Sequence, residues 1–219
     1  MDATATDAPA EVTEVTADRS PQRYGVGMLV LATVAGLLLG YAVAVLTLRP
    51  SPPGDTSPEA GFARDMTIHH DQAVTMSMIA YQRATQLSVR TVGEDIAGNQ
   101  QGQIGMMQQW LRDWGLLPAG AAPPMSWMPN GAATLENGLM PGMATPEELA
   151  ELRAATGVEV DRLFLELMID HHLGGIHMVD GILAVSDHEE VRWLAQTQKN
   201  GQQQEINLMR RLLAELPAE

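Results

Sequence analysis

The pattern of apolar and polar positions divides the chain into an uncharged stretch near the N-terminus and several amphipathic segments after it. Residues 1–24 are polar, rich in Ala, Thr, Asp and Glu, and lack an apolar period, so they predict a disordered tail. Residues 25–48 carry no charge and are long enough to cross a bilayer as one helix. Residues 49–58 contain four prolines and predict a stiff, extended linker. Residues 59–219 have the length of one folded domain.

The uncharged stretch predicts an export or anchoring segment. Arg19 and Arg23 precede it and Arg49 follows it, which favours a cytoplasmic N-terminus and an extracytoplasmic C-terminal domain. We therefore predict single-pass attachment to the cell membrane through residues 25–48. The alternative is secretion after signal cleavage, because Ala42-Val43-Ala44 has the small-x-small form of a cleavage site.

The soluble part of the sequence matches itself at an offset of 102 residues. Phe62–Asp113 aligns without gaps to Phe164–Glu215, and twelve of the 52 aligned positions are identical. This match predicts two copies of one unit, repeat 1 over 59–115 and repeat 2 over 146–216, joined by a Met-rich loop over 116–145.

Each copy has the three-and-four apolar spacing of two amphipathic helices. Two such hairpins pack most simply as an antiparallel four-helix bundle, which makes the predicted fold class all-α with one additional N-terminal transmembrane helix. Helix starts are predicted at a capping sequence beginning with Thr145 and at a capping box, Ser186-Asp187-His188-Glu189. The predicted helices cover 58–86, 88–114, a short segment from 146 that breaks near Gly157, 158–185 and 189–216.

The first long helix of each copy carries the same four side chains toward the interior of the bundle. Each has a His-His pair, a Met three residues before the pair and a second Met six residues after it. Imidazole and thioether ligands suit Cu(I) far better than iron, manganese or magnesium. We therefore predict a site for copper, or another soft transition metal, with these candidate ligands: Met66, His69, His70, Met76, Met168, His171, His172 and Met178. The alternative is that these side chains are structural core residues.

The surroundings of the two pairs are predicted from the same helical spacing. A small residue, Ala73 or Gly175, is expected to leave an open slot beside each pair. The residues expected opposite are either two glutamines or two methionines, namely Gln100 and Gln202 or Met107 and Met209.

The connecting loop is also rich in methionine, within the sequences MSWM and MPGM. Exposed thioethers there would capture a soft cation before it moves inward, which makes Met125, Met128, Met140 and Met143 candidates for accessory metal capture. The alternative is that they fill gaps against the end of the bundle. His177 is expected on the polar face of its helix and His188 in a capping turn, both outside the site.

Composition limits the possible functions. The formal net charge is -14 and a single Lys is present, so a phosphate-binding surface for nucleic acid is not expected. Cysteine is absent, which excludes a thiolate metal site. No pairing of a nucleophile with a base stands out, and we therefore predict a binding protein, not an enzyme.

Several of these motifs, in this order, resemble the domain of unknown function 305 family. The segments that carry the resemblance are MTIHHDQAVTM, QQGQIGMM, MPGMATPEELAEL, MIDHHLGGIHM and QQQEINLM, and together they cover about residues 59–216. The resemblance implies a ferritin-like four-helix bundle that is exported or membrane-anchored, with copper binding and tolerance in some members. It also implies that the His and Met residues named above are ligands. The family's Glu in the second motif is kept as Glu205, whereas Gln103 stands at the matching position.

These observations favour an extracytoplasmic, membrane-anchored protein that binds or buffers copper, or confers tolerance to it. Two alternatives stay open, a ferritin-like redox enzyme using iron and a metal-free helical interaction domain at the cell surface. The first alternative requires Glu ligands at the helix seam. The sequence does not decide between one site in each copy and one site shared by both.

Overall fold

A computed structural model describes residues 25–48 and 51–217 of the chain. The predicted tail and the three arginines on which the membrane orientation rests, Arg19, Arg23 and Arg49, lie outside the described residues. The chain divides into two compact units, Met1–Ser51 and Pro52–Glu219.

Among its described residues, 25–48 and 51, the first unit contains one helix, α1, over Val26–Thr47. Its 22 residues are uncharged and none of them is buried. By length and composition α1 is able to cross a membrane, and a signal sequence near an N-terminus has the same properties.

The second unit is helical. Within residues 51–217 the only β-type pairing is an isolated bridge between Glu136 and Leu139, so the all-α prediction is confirmed. The loop also contains a short 3-10 helix over Gly131–Thr134. The α-helices are α2 over Pro58–Arg83, α3 over Leu87–Asp113, α4 over Pro146–Ala154, α5 over Val158–Val185 and α6 over Glu189–Glu215.

The four long helices α2, α3, α5 and α6 form the bundle. α2 packs along α3, and α5 packs along α6, so each pair is a helical hairpin. The hairpins meet mainly where α2 contacts α5, whereas α3 and α6 touch each other only slightly. The bundle is therefore tightly closed on three sides and loosely closed between α3 and α6.

Two apolar clusters fill the bundle, one toward each end. The first includes Phe62, Met66, Met107, Met178 and Leu194, and the second includes Met76, Ile96, Phe164, Met168 and Met209. In each long helix the residues of one cluster precede those of the other along the sequence. Buried polar residues lie between them on all four helices, so a polar layer separates the two apolar clusters.

Of the two helix starts predicted from capping sequences, one has the predicted cap and the other does not. The Thr145 capping box is confirmed, because Thr145 Oγ1 accepts a hydrogen bond from the amide of Glu148 and the Glu148 side chain bonds back. The capping box predicted for α6 is wrong, since His188 is the N-cap and makes no side-chain capping bond. Ser186 instead donates its hydroxyl to Glu59 on α2, a tertiary contact that the local sequence does not reveal.

The turn between α2 and α3 begins earlier than predicted, after Arg83. The buried carboxylate of Asp161 on α5 accepts hydrogen bonds from the backbone amides of Thr85 and Gln86 and from the Thr85 hydroxyl. These bonds satisfy amide groups at the start of α3 and hold the turn against the second hairpin.

A second buried carboxylate holds the Met-rich loop on the bundle. Asp65 on α2 accepts hydrogen bonds from the Met125 amide and from Trp127 Nε1. Burial raises the pKa of Asp65, and the hydrogen bonds from Met125 and Trp127 oppose that shift. The loop is therefore tied to the same helix that carries the first His pair.

Candidate metal site

The two His pairs lie at the middle of the bundle, in the polar layer between the apolar clusters. His69 and His70 come from α2, His171 and His172 come from α5, and all four side chains are 0% exposed. The rings of His69 and His171 approach to 3.8 Å between centroids, with an angle of 38° between their planes. The structure thus brings the pairs into one layer shared by both hairpins.

Three of the four imidazoles are held through Nε2. His69 Nε2 lies 3.1 Å from the carbonyl oxygen of Pro141, His70 Nε2 lies 2.7 Å from Gln103 Oε1, and His172 Nε2 lies 2.6 Å from Glu205 Oε2. An amide or carbonyl oxygen can only accept a hydrogen bond. The hydrogen of His69 therefore sits on Nε2, and its Nδ1 atom carries a free lone pair. His70 Nε2 also lies 3.3 Å from the amide nitrogen of Gln198, and the shorter contact to Gln103 favours the same tautomer for His70.

These Nδ1 atoms have no partner in the described protein. Nδ1 of His69, His70, His171 and His172 is buried without a hydrogen bond, and so is Nε2 of His171. Buried polar atoms without a partner are uncommon in native proteins, and strain, a functional role, a bound water or a bound ion accounts for them. Metal-ligating His residues typically donate one ring N–H to an oxygen acceptor and bind the metal through the other nitrogen. The arrangement of the imidazoles fits a metal site.

Burial keeps the imidazoles of His69, His70 and His171 in the neutral form that binds metal. Loss of hydration lowers the pKa of His69 to about 4 and that of His70 to about 3. It also lowers the pKa of His171 well below its usual range, and the neighbouring imidazoles lower it further. At neutral pH a cation therefore does not compete with protons for these nitrogens.

Glutamines from α3 and α6 complete the layer. Gln100, Gln198 and Gln202 are buried, and Gln198 Nε2 lies 3.3 Å from His70 Nε2. A Cβ atom at Gly175 would lie 2.6 Å from Gln202 Oε1. The space beside the second His pair, predicted as an open slot, is thus filled by Gln202. Of the two sets of residues predicted opposite the histidines, the glutamines take this position, since Met107 and Met209 lie in the apolar clusters.

The four candidate Met ligands on α2 and α5 lie on both sides of the imidazole layer, all fully buried. Met66 and Met178 belong to the first apolar cluster, and Met76 and Met168 belong to the second. Met66 and Met168 each precede a His by one helical turn on the same helix face. Thioether sulfur therefore borders the layer from each end of the bundle.

Carboxylates contribute little to this site. Within residues 25–48 and 51–217, no three His, Asp or Glu side chains converge around one point as a metal-ligand group. Glu205 is the acid that contacts the imidazole layer, and its contact is with His172. A cation bound in the layer would therefore need thioether or amide ligands in addition to imidazole.

The loop methionines differ from the prediction. Met125 and Met140 are 0% and 5% exposed, and Met128 and Met143 are half-buried against the first apolar cluster. The expectation of exposed thioethers is wrong for Met125 and Met140. The anchoring of the loop by Asp65 explains this difference, because it draws Met125 into the core.

The two remaining histidines, His177 and His188, lie outside the layer. His177 is exposed on α5 and lines a pocket of about 470 Å³ beneath the loop. His188 is the N-cap of α6, with its ring 5.6 Å from that of Trp114. Both positions agree with the sequence-based expectation.

The sequence patterns do not show which groups orient the imidazoles. Gln103 and Glu205 each follow their His partner by 33 residues, and both contacts join the two helices of one hairpin. A prediction of hairpin register would have indicated them. The Pro141 carbonyl is a backbone group in an irregular loop, and no side-chain pattern indicates it.

The fold and the buried layer together define the class as an all-α protein with a four-helix bundle that encloses imidazole and amide side chains. The family model for the domain of unknown function DUF305 matches residues 59–213. The chain belongs to the DUF305 family.

Solved structures of similar proteins share this fold. A DUF305 protein from Streptomyces coelicolor, described as a candidate secreted protein, is 41% identical, with a TM-score of 0.68 over 74% of this chain and 95% of that one. A DUF305 fragment from Deinococcus radiodurans is 32% identical, with a TM-score of 0.63 over 75% of this chain and 100% of that one. CopM in its Cu(II)-bound form is 25% identical, with a TM-score of 0.56 over 72% of this chain and 96% of that one. No curated protein sequence matches the chain.

Proposed function

We propose that this protein binds copper outside the cytoplasm and holds it as Cu(I) in the imidazole layer, as a buffering or tolerance protein and not as an enzyme. The observation that carries the proposal is the set of buried Nδ1 atoms without partners on two adjacent helices. His69 and His70 present these atoms with Nε2 already fixed by an oxygen acceptor. The ligands proposed are imidazoles of the two His pairs, no three of which converge on one point in the described residues, together with the thioethers that border them.

The chemistry of the candidate ligands supports copper over harder ions. Neutral imidazole and thioether are soft or intermediate donors, and Cu(I) accepts them at low coordination numbers. The likeness to CopM, solved with Cu(II), points the same way. The apolar clusters on both sides would exclude water and help to retain the reduced ion.

Placement of the domain outside the cytoplasm rests on α1. We propose that α1 anchors the protein in the cell membrane by a single pass, with cleavage as a signal sequence the alternative. The Streptomyces relative described as a candidate secreted protein supports export by either route. Digestion of intact cells with an external protease, followed by detection of the α5–α6 region, tests the orientation.

The iron-enzyme alternative has less support in this layer. Di-iron bundles use several Glu residues with His at the helix seam. Glu205 is the acid in contact with the imidazoles among the described residues. Binding of Fe(II) in preference to Cu(I) would nevertheless favour that alternative, and no binding of either would favour a metal-free interaction domain.

The test is a titration of the full-length protein in detergent with Cu(I), Zn(II) and Fe(II), under anaerobic conditions and in competition with a chromogenic chelator. We expect tight, selective Cu(I) binding. The double substitution His69→Ala with His171→Ala should weaken it at least about 100-fold, or about 2.7 kcal/mol, because it removes one imidazole from each helix.

The matched control is His177→Ala, which removes an exposed imidazole from the same helix α5. It should bind Cu(I) like the unmodified protein. Circular dichroism of the metal-free double variant checks that the helices remain folded. Unfolding of that variant without metal, or unchanged Cu(I) affinity, would contradict the proposed role of the layer.

A further inference from the structure

The weakly closed side of the bundle contains a polar groove, and three of its lining residues, Gln103, Gln198 and Glu205, contact His70 or His172. The groove lies between α3 and α6 and has a volume of about 210 Å³. Its rim includes the exposed residues Asn99 and Thr197, and its inner wall includes the buried residues Gln100, Gln198 and Gln202. It therefore extends from solvent to the polar layer.

The floor of the groove is formed by groups that touch two imidazoles. Gln103 and Glu205 line the groove and accept from His70 and His172. The Glu205 side chain is 24% exposed while that of His172 is 0% exposed, so this carboxylate connects solvent with the buried ring. The side chains that separate the groove from His70 and His172 are therefore polar, and a cation that passed between them would cross no apolar packing.

The other sides of the layer are closed. The apolar clusters fill both ends of the bundle, and the Met-rich loop covers the α2–α5 side. A Cβ atom at Gly174 would lie 1.9 Å from the Pro141 carbonyl oxygen, and one at Gly142 would lie 2.2 Å from the Asp170 carbonyl oxygen. The backbone of the loop thus rests directly on α5 and separates the larger pocket beneath the loop from the imidazoles.

The chemistry of the groove suits a cation in transit. Both amide atoms of Gln100 and of Gln202 and the Oε1 atom of Gln198 are buried without a hydrogen-bond partner in the described protein. Neutral amide oxygens can replace water around a cation without binding it as strongly as a carboxylate would. The charge of Glu205 and the net charge of -14 favour cations at the rim.

We propose that the groove between α3 and α6 is the route by which a soft metal cation enters and leaves the imidazole layer, with the three buried glutamines as transient ligands. The inference rests on the proposed function, since it assumes that the layer binds Cu(I). According to this inference, residues of α3 and α6 set the rate at which Cu(I) enters and leaves. The residues that hold the ion at equilibrium lie on α2 and α5.

Gly201 provides a direct test. It lines the groove, and a Cβ atom there meets nothing within 4 Å, so a larger side chain enters open space. Gly201→Leu should fill the groove. It should also stabilise α6, because a glycine in a helix interior costs about 1 kcal/mol. We expect Cu(I) association and dissociation to slow by the same factor, about tenfold or more, with an unchanged Kd.

The measurement uses the full-length protein in detergent, loaded with Cu(I). Competition with the chelator gives the equilibrium Kd. The dissociation rate constant is measured with excess chelator, at concentrations where the observed rate no longer depends on the chelator. The association rate constant is the dissociation rate constant divided by Kd. Asn99→Phe places a ring on the opposite rim and should slow exchange in the same way, which covers the case in which Gly201→Leu does not fold.

Two controls separate groove filling from helix stabilisation. Gly201→Ala gives most of the helix gain without filling the groove, and Gly105→Leu adds the same side chain to α3 outside the groove, where a Cβ atom also meets nothing within 4 Å. Both should exchange Cu(I) at the original rate. Original rates in folded Gly201→Leu and Asn99→Phe would overturn the proposed route alone. Absence of Cu(I) binding by the unmodified protein would overturn the proposed function, and the route with it.

Discussion

His70 and His172 occupy matching places in their hairpins but have chemically different partners. Gln103 offers a neutral amide oxygen at 2.7 Å, whereas Glu205 offers a carboxylate oxygen at 2.6 Å. A carboxylate that accepts the ring N–H makes the other ring nitrogen a stronger metal ligand. If both rings bind a metal ion, the two hairpins contribute unequal ligands, and His172 is the stronger of the two.

Exchange of the two partners tests this inequality. Glu205→Gln keeps an acceptor at the same distance and removes its charge, and we expect the Cu(I) affinity to fall by about 10-fold to 100-fold. Gln103→Glu is the reciprocal change and should raise the affinity. Chelator competition measures both, and thermal unfolding of the metal-free variants checks their folding. Equal affinities for all three proteins would show that the acceptor's charge has no influence on the layer.

At the scale of the helix, α3 contains four glycines whose surroundings differ. A Cβ atom at Gly93 would lie 2.9 Å from the Ser77 carbonyl oxygen of α2, whereas one at Gly98, Gly102 or Gly105 would meet nothing within 4 Å. Gly93 permits the close approach of α2 and α3 near their connecting turn. Gly102 and Gly105 line a pocket that also includes Glu190 and Trp193 of α6, so α3 presents no side chain at these two positions.

Alanine substitution should therefore act in opposite directions at two of these positions. Gly98→Ala should raise the free energy of unfolding by about 1 kcal/mol, because it removes a glycine from an exposed helix interior. Gly93→Ala should lower it, since the added methyl group meets backbone that cannot move aside cheaply. Urea unfolding of the metal-free protein measures both changes. A stabilising effect of Gly93→Ala would contradict the close contact described for α2 and α3.

At the scale of the whole molecule, burial of the imidazoles makes stability depend on pH. The pKa of His69 falls to about 4 and that of His70 to about 3 in the folded protein, against about 6.5 in the unfolded chain. Below pH 6.5 the unfolded chain therefore binds more protons than the folded one. The resulting stability is fully present above pH 6.5 and is lost as the pH falls toward 4 and then 3.

We expect the metal-free protein to lose up to about 1.4 kcal/mol per pH unit for each of these histidines as the pH falls below 6.5. Urea unfolding at pH 7.5, 6, 5 and 4.5 measures the slope. The variant His69→Ala should have a smaller slope, whereas His177→Ala, which removes an exposed ring, should keep it. A slope that is the same in His69→Ala as in the original protein would exclude His69 as its source.

The sequence predicted the helices and the composition of the polar layer better than it predicted the contacts. Helical spacing was sufficient for the four long helices, because each has one face buried in the bundle. The position of Ser186 could not be predicted, since its partner Glu59 lies 127 residues away. The burial of Met125 could not be predicted either. Its amide is held by Asp65, which lies 60 residues earlier in the sequence.

The sequence does not decide whether the candidate metal site lies in one half of the chain or is shared by both halves. In the structure, His69 of the first half lies beside His171 of the second half. Their rings face each other at 3.8 Å across the seam between the hairpins. Hydrophobic spacing places both residues inside the bundle but does not give the relative height of α2 and α5. That offset depends on the packing of the two helices against each other, which is a property of the assembled bundle.

The contact of these two rings also has a mechanical consequence. An ion ligated by both His69 and His171 would link the two hairpins, which lie on opposite sides of the loop in the sequence. Loading would then oppose separation of the halves, and at a free ion concentration a thousand times the Kd it would add about 4 kcal/mol to the free energy of unfolding. After a cut in the loop, the loaded halves would therefore be harder to separate than the empty ones.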